Sequence, residues 1–205
     1  MHHLLVRVFI FFLSFGSYIH AGMLDKYADT DYLPEIENRI NHLIEKIDQS
    51  PGEPWLLFLD IDETMISNLQ WLSSERNFKV SLEEFDKYVI QERGEAISSV
   101  LRLYHIALSR GYPVIVATGR IPQQRPMTLA VLKKAGYEKI DKVFFKPEDK
   151  PVEQFKSKVR CEFADRGFAV INVGDQLSDM LGGCATISLK LPNPFYKTGY
   201  MFSEI

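Results

Sequence analysis

The pattern of apolar and polar positions is organised around Trp55-Leu56-Leu57-Phe58-Leu59, five apolar residues with no polar alternation. Such a run predicts a strand buried on both faces, of the kind found in the middle of a parallel sheet. From residue 97 onward one phrase recurs three times. Residues 97–110 end in Ser-Arg and lead through Gly111-Tyr112 into an apolar run at 113–118. Residues 123–135 end in Lys-Lys-Ala and lead through Gly136-Tyr137 to a strand near 142–145. Residues 152–166 end in Asp-Arg and lead through Gly167-Phe168 into 169–173. Each phrase is an amphipathic helix with basic residues near its end and a glycine suited to a left-handed cap, followed by a short strand. With the strand at 55–59 the order is β-α-β-α-β-α-β. Right-handed crossovers turn that order into an α/β fold, a parallel sheet with helices on both faces. A further strand at 185–189 extends it.

Two segments stand outside this alternation. Residues 32–49 carry Leu33, Ile36, Ile40, Leu43, Ile44 and Ile47 at helical spacing, with Pro34 placed for a first turn. They predict a helix packed on the sheet. The stretch from the first strand to residue 96 is longer than a tight strand-to-helix turn needs. It holds Trp71, Phe78, Phe85 and Tyr88 among charged residues, and a capping-box signal begins at Ser81. A small helical cap inserted over about 66–96, overhanging the strand end, fits this composition.

Composition adds little to the fold and more to the setting. The 205 residues are 46% hydrophobic and 25% charged, ordinary values for one globular domain. A net charge of −3 without any basic stripe gives no footprint for a nucleic-acid polymer. Residues 1–21 combine Arg7 with an apolar stretch from Val8 to Phe15 and end on Ala21, the layout of a secretory signal peptide. The clean apolar span is too short for comfortable membrane insertion. Export to a periplasm or the medium is therefore expected. Cleavage after Ala21 leaves residues 22–205 with 23 basic and 27 acidic residues, net −4. The two cysteines, Cys161 and Cys184, leave a disulfide and free thiols equally open.

The strand ends carry the chemistry. Asp60-Ile-Asp-Glu-Thr64 follows the first strand, Thr118-Gly119-Arg120 the second, and Gly174-Asp-Gln-Leu-Ser-Asp179 a later one. In a parallel sheet all three reach the carboxyl edge, where open α/β folds bind ligands. Asp60, Asp62, Asp175 and Asp179 repel one another unless a cation sits among them, and oxygen-only ligands point to a hard ion, Mg²⁺ first. Thr118 with the backbone N–H groups of Gly119 and Arg120, read as a helix start, makes a phosphate-sized anion site. A lysine from the helix before the last strand can offset charge on a phosphoryl group. Lys146, Lys150, Lys156 and Lys158 all lie in that interval. For Asn68 helix capping, and for Arg120 a solvated side chain, are as good an explanation as a place in the site. The five histidines have no metal spacing and no Arg-His-Gly triplet occurs, which disfavours a histidine nucleophile; His105 falls in a helix and reads as structural.

These motifs, in the order DxDxT, Thr, Lys, GDxxxD, resemble the haloacid-dehalogenase-like (HAD) phosphohydrolase superfamily. The nearer likeness is to its subfamily IIIB, the plant-type acid phosphatases and vegetative storage proteins. It is carried by residues 59–68, Gly94-Glu95 with 101–104, 117–120, Phe155-Lys156-Ser157 with Arg160, 174–179 and 191–194, in collinear order over about 30–196. The resemblance implies a three-layer Rossmann-like sheet and an acid phosphatase, a hydrolase of small phosphomonoesters. It implies Asp60 as nucleophile forming an aspartyl-phosphate, and Asp62 as general acid and base, with a pKa raised by burial and neighbouring carboxylates. It also implies Mg²⁺ on the Asp60 side chain, the Asp62 carbonyl, Asp175 and Asp179, with Thr118, Gly119 and Lys156 on the phosphoryl oxygens. The setting of Lys156 selects it among the four lysines. A phosphotransferase would use the same intermediate. A storage or binding protein on a retired scaffold is disfavoured by the intact acids, and a phospho-accepting receiver domain by the leader and the DxDxT spacing.

Overall fold

The computed structural model describes residues 32–69, 71, 84, 87–88, 91 and 93–193. The proposed leader, Phe78, Phe85 and most of the proposed cap lie outside the described residues. The chain opens with α1 (Tyr32–Asp48), β1 (Trp55–Leu59) and the two-residue strands β2 (Ile66–Ser67) and β3 (Glu95–Ala96). It continues with α2 (Ser98–Ser109), β4 (Val114–Thr118), a single 3₁₀ turn at Pro122–Gln124, α3 (Arg125–Lys134), β5 (Lys142–Phe145) and α4 (Val152–Ala164). β6 (Ala169–Gly174), the one-turn α5 (Leu177–Met180) and β7 (Ile187–Lys190) close it.

Five strands form one parallel sheet in the order β5-β4-β1-β6-β7. Leu57 aligns with Val114 on one side of β1, and Trp55 with Ala169 on the other. All five residues of β1 are buried, as their unbroken apolar run requires. Connections run β1 to β4 to β5 in one direction and then reverse to β6 and β7. With crossovers of one hand, that reversal places the helices on opposite faces. Leu57, Leu59, Val114, Val116, Ile171 and Val173 join α1, α2 and α3 in one core. Leu56, Phe58, Ile115, Ala117 and Val170 join Val159 and Phe163 of α4 in the other. Each such fully buried aliphatic or aromatic side chain contributes roughly 1.5–3 kcal/mol.

The three repeated phrases end as expected, with Gly111, Gly136 and Gly167 at φ of 72°, 97° and 91°, a conformation that costs other residues more. The α1 stripe differs at one position: Tyr32 is buried in place of Leu33, which is 45% exposed. β2 and β3 pair antiparallel, Ile66 with Ala96, and so tie together the two ends of the long insertion. Within the insertion Trp71 and Tyr88 are buried and stack with ring centroids 4.1 Å apart.

Candidate active site

The order of strand connection reverses between the parallel neighbours β1 and β6, and such a reversal opens a crevice at the carboxyl edge of an α/β sheet. Asp60 leaves β1 there, its N–H bonded to Val173 O of β6 at 3.1 Å. The next residues turn sharply, the N–H groups of Thr64, Met65 and Ile66 all converging on Ile61 O. Glu63 in that turn has φ 52°, a strained value for a side-chain-bearing residue, and its carboxylate is buried. Its Oε1 accepts the N–H of Asn68 at 2.7 Å.

Lys156 projects from α4 into the crevice and is buried. Its Nζ donates to Asp60 Oδ1 at 2.5 Å and to Asp179 Oδ1 at 2.6 Å. Burial alone would favour the neutral amine. The Asp179 and Asp60 charges outweigh it and hold the lysine above its ordinary value. Asp175 Oδ1 accepts Thr64 Oγ1 at 3.1 Å, and its Oδ2 accepts Asn193 Nδ2 at 2.7 Å and the Gln176 side-chain amide. Asp179 Oδ2 accepts the Gln176 N–H at 2.9 Å.

Asp60, Asp175 and Asp179 each offer a carboxylate oxygen within 4.8 Å of the others, and all three are buried. Three carboxylates around one ammonium leave two negative charges uncompensated, and the donors are oxygen only. Both properties fit a hard divalent cation. Without one, burial and then the neighbouring carboxylates push Asp175 up to about 7. Asp60 is also raised well above the ordinary value: burial comes first, and Lys156 only partly opposes it.

Asp62 behaves differently from the expectation of a raised pKa. Burial does push it up, but the Arg120 charge, the Arg120 hydrogen bonds and the Asn68 amide outweigh burial and hold it below its ordinary value. Arg120 donates through Nε to Asp62 Oδ2 at 3.0 Å and through Nη2 to Oδ1 at 2.7 Å, the bidentate fork that favours a carboxylate. Asn68 Nδ2 adds a bond to Oδ1 at 2.9 Å. Arg120 is therefore buried and paired rather than solvated, with Nη1 also bonded to Thr128 of α3.

The Thr118 segment lies at the same edge, at the end of β4, but is not a helix start. The 3₁₀ turn begins at Pro122 and α3 at Arg125. The Arg120 N–H already bonds Thr118 Oγ1 at 3.1 Å, while Gly119 is exposed. Among the other lysines, Lys146 Nζ bonds the carbonyls of Pro147 and Lys150, Lys150 pairs with Asp149, and Lys158 faces solvent. His105 is exposed and lies edge-on to Tyr104. Cys161 and Cys184 form a disulfide between α4 and the segment after α5.

Sequence reasoning assigned no role to Arg160 or Asn193. Arg160 is fully buried in α4 with its guanidinium on loop carbonyls, and Asn193 bonds Asp175. A signal for both was present: a charged residue on the apolar side of a helix and an asparagine between prolines 192 and 194, each within a motif already noted.

An aspartate at the switch point of a five-stranded parallel sheet, with a buried lysine, two further carboxylates and an insertion after the first strand, defines a haloacid-dehalogenase-like α/β protein. The chain belongs to the HAD superfamily, subfamily IIIB (acid phosphatase), whose family model matches residues 17–199. It is 37% identical over 144 residues to Acid phosphatase 1 of Solanum lycopersicum, covering 67% of this chain and 56% of that protein. It is 31% identical over 147 residues to the Stem 28 kDa glycoprotein of Glycine max, covering 66% and 57%. The chain thus spans little more than half the length of these relatives. The class C acid phosphatase of Bacillus anthracis shares the fold, with a TM-score of 0.67 at 18% identity over 86% of this chain and 85% of that one. No helix among the described residues is long and apolar enough to cross a membrane.

Proposed function

We propose that the protein is an exported, Mg²⁺-dependent acid phosphatase that hydrolyses small phosphomonoesters through an aspartyl-phosphate on Asp60. The observation that carries this reading is the Asp60 carboxylate at the crevice, within 4.8 Å of the Asp175 and Asp179 oxygens and bonded to Lys156. Mg²⁺ held by Asp60, Asp175 and Asp179, with the Asp62 carbonyl, would draw negative charge off the phosphoryl oxygens and bring the phosphorus to the nucleophile. Asp60 attacks phosphorus with one carboxylate oxygen, and the bond to the leaving oxygen breaks. Lys156, leaving its two carboxylate partners in part, binds a phosphoryl oxygen, and Thr118 with the exposed Gly119 N–H binds another.

Asp62 protonates the leaving oxygen and then takes a proton from the water that opens the aspartyl-phosphate. In the ligand-free site Arg120 keeps Asp62 ionised, which suits the second step. A phosphoryl dianion arriving beside it disfavours that charge and draws Asp62 toward the protonated form, and an acidic medium works in the same direction. The segment 66–96, anchored by the β2–β3 pair and the Trp71–Tyr88 stack, would cap the crevice and select the leaving group. Residues 1–21 would direct export and be removed.

Asp60→Asn is expected to lower turnover of a generic aryl phosphate by about 10³-fold or more, with near-UV circular dichroism preserved. Substantial turnover in that variant, or full activity of the wild type in EDTA, would sink the mechanism.

A further inference from the structure

One strip of α4 is given over to a single loop. Lys156, Ser157, Arg160 and Cys161 stand at i, i+1, i+4 and i+5, and so share a side of the helix. Lys156 takes the Asp179 carboxylate. Ser157 Oγ donates to Gly182 O at 3.1 Å. Arg160 donates through Nε to Gly183 O at 2.6 Å, through Nη1 to Asp179 O at 2.9 Å, and through Nη2 to Leu181 O. Cys161 is bonded covalently to Cys184.

Arg160 is 0% exposed, and a guanidinium so placed ordinarily answers a carboxylate. This one instead spreads its N–H groups over three carbonyls of the 179–183 loop. That loop has little to fix it by itself. α5 is a single turn of four residues, and Gly182, Gly183 and Cys184 follow in the left-handed region with φ of 82°, 69° and 62°. The loop also presses against the helix so closely that a Cβ on Gly182 would fall inside the Ser157 hydroxyl. Asn172 Nδ2 of β6 also donates to Asp179 O, at 3.0 Å. The backbone of Asp179 is thus gripped twice, while its carboxylate must stay near those of Asp60 and Asp175.

We infer that Arg160, with Ser157 and the Cys161–Cys184 bond, is a positioning clamp. It acts through the backbone of residues 179–183 to keep the Asp179 carboxylate at the separation from Asp60 and Asp175 that a divalent cation needs. This rests on the metal-site reading above. Residues that hold metal ligands from behind in this way commonly change metal affinity by 10–100-fold when replaced.

The test is calorimetric titration of Mg²⁺ into the metal-free wild type, Arg160→Lys and Ser157→Ala. Lysine keeps the charge but cannot span three carbonyls. About tenfold weaker Mg²⁺ binding is expected for Arg160→Lys, and a smaller weakening for Ser157→Ala. A merely structural role predicts a lower Tm with unchanged affinity. Wild-type affinity in a folded Arg160→Lys protein therefore overturns the inference. If Arg160→Lys does not fold, Ser157→Ala decides, weaker binding supporting the clamp and unchanged binding overturning it. The wild-type titration is read first: no Mg²⁺ uptake there overturns the metal-site reading, and the clamp with it.

Discussion

At the end of β4 the buried guanidinium of Arg120 meets Asp62 through two N–H···O bonds, and neither ion would be tolerated there alone. Neither partner announces the other in sequence. They stand 58 residues apart, and an arginine after a Thr-Gly pair reads as a solvated side chain. Only the placement of β4 beside β1 brings them together. The acidic pair Asp60 and Asp62 was legible as chemistry, but the direction of the Asp62 pKa was not, because it depends on that distant cation. Gly174 shows another side of the same crowding. A Cβ built there would lie 2.5 Å from the Asp179 Cβ, Cγ and Oδ2, so the last residue of β6 must be bare for Asp179 to turn inward. Gly174→Ala is expected to displace that carboxylate, costing about 1–3 kcal/mol of stability and at least about tenfold in aryl phosphate turnover. Chemical denaturation and steady-state kinetics on the variant check both figures. Wild-type turnover with wild-type stability would mean that Asp179 has room the structure denies it.

Among the elements, those carrying the repeated helix–glycine–strand phrase were the most legible, because cap, periodicity and apolar run agree at each occurrence. The predicted helix at 152–166 is α4 at Val152–Ala164, and the predicted strand at 55–59 is β1. Where one signal stood alone, the reading slipped. The Thr118-Gly119-Arg120 turn reads as a helix start in the sequence, yet α3 waits until Arg125, after the 3₁₀ turn that Pro122 begins. β7 runs 187–190 rather than 185–189, an ordinary error at an edge strand whose inner and outer residues alternate. The cysteines could not be paired from sequence, since their separation depends on how closely the 181–184 segment returns to α4. With a sequence separation of 23, the disulfide is expected to stabilise the protein by about 3 kcal/mol through the entropy of the unfolded chain. A Cys161→Ala/Cys184→Ala double variant, compared by urea denaturation, measures this. An unchanged midpoint would show that Arg160 and Ser157 hold the segment without it.

For the whole molecule, the reversal of strand order between β1 and β6 gathers carboxylates at one edge, and their titration couples to stability. Asp60 and Asp175 are both held above their ordinary values, so the metal-free folded protein keeps protons that the unfolded chain has already released above about pH 4. The unfolded state then binds fewer protons than the folded one, and stability falls as pH rises from about 4 toward about 7. A divalent cation bound there would replace those protons. The rise in Tm on adding Mg²⁺ is therefore expected to be larger at pH 7 than at pH 5, and differential scanning calorimetry with and without EDTA reads it directly. An Mg²⁺ effect that shrinks with rising pH would contradict the charge balance described for the site.

Lys156, lodged between Asp60 and Asp179, bears on the order of assembly. Because the chain brings its own counter-ion to the acid cluster, closing the sheet does not have to wait for a metal, unlike small domains in which ion binding and folding are one event. On the metal-site reading, folding would come first and loading second, so an ion could be taken up by the finished protein. The EDTA melting curve already carries the check: a cooperative transition without metal fits this sequence of events, and its absence would reverse the order.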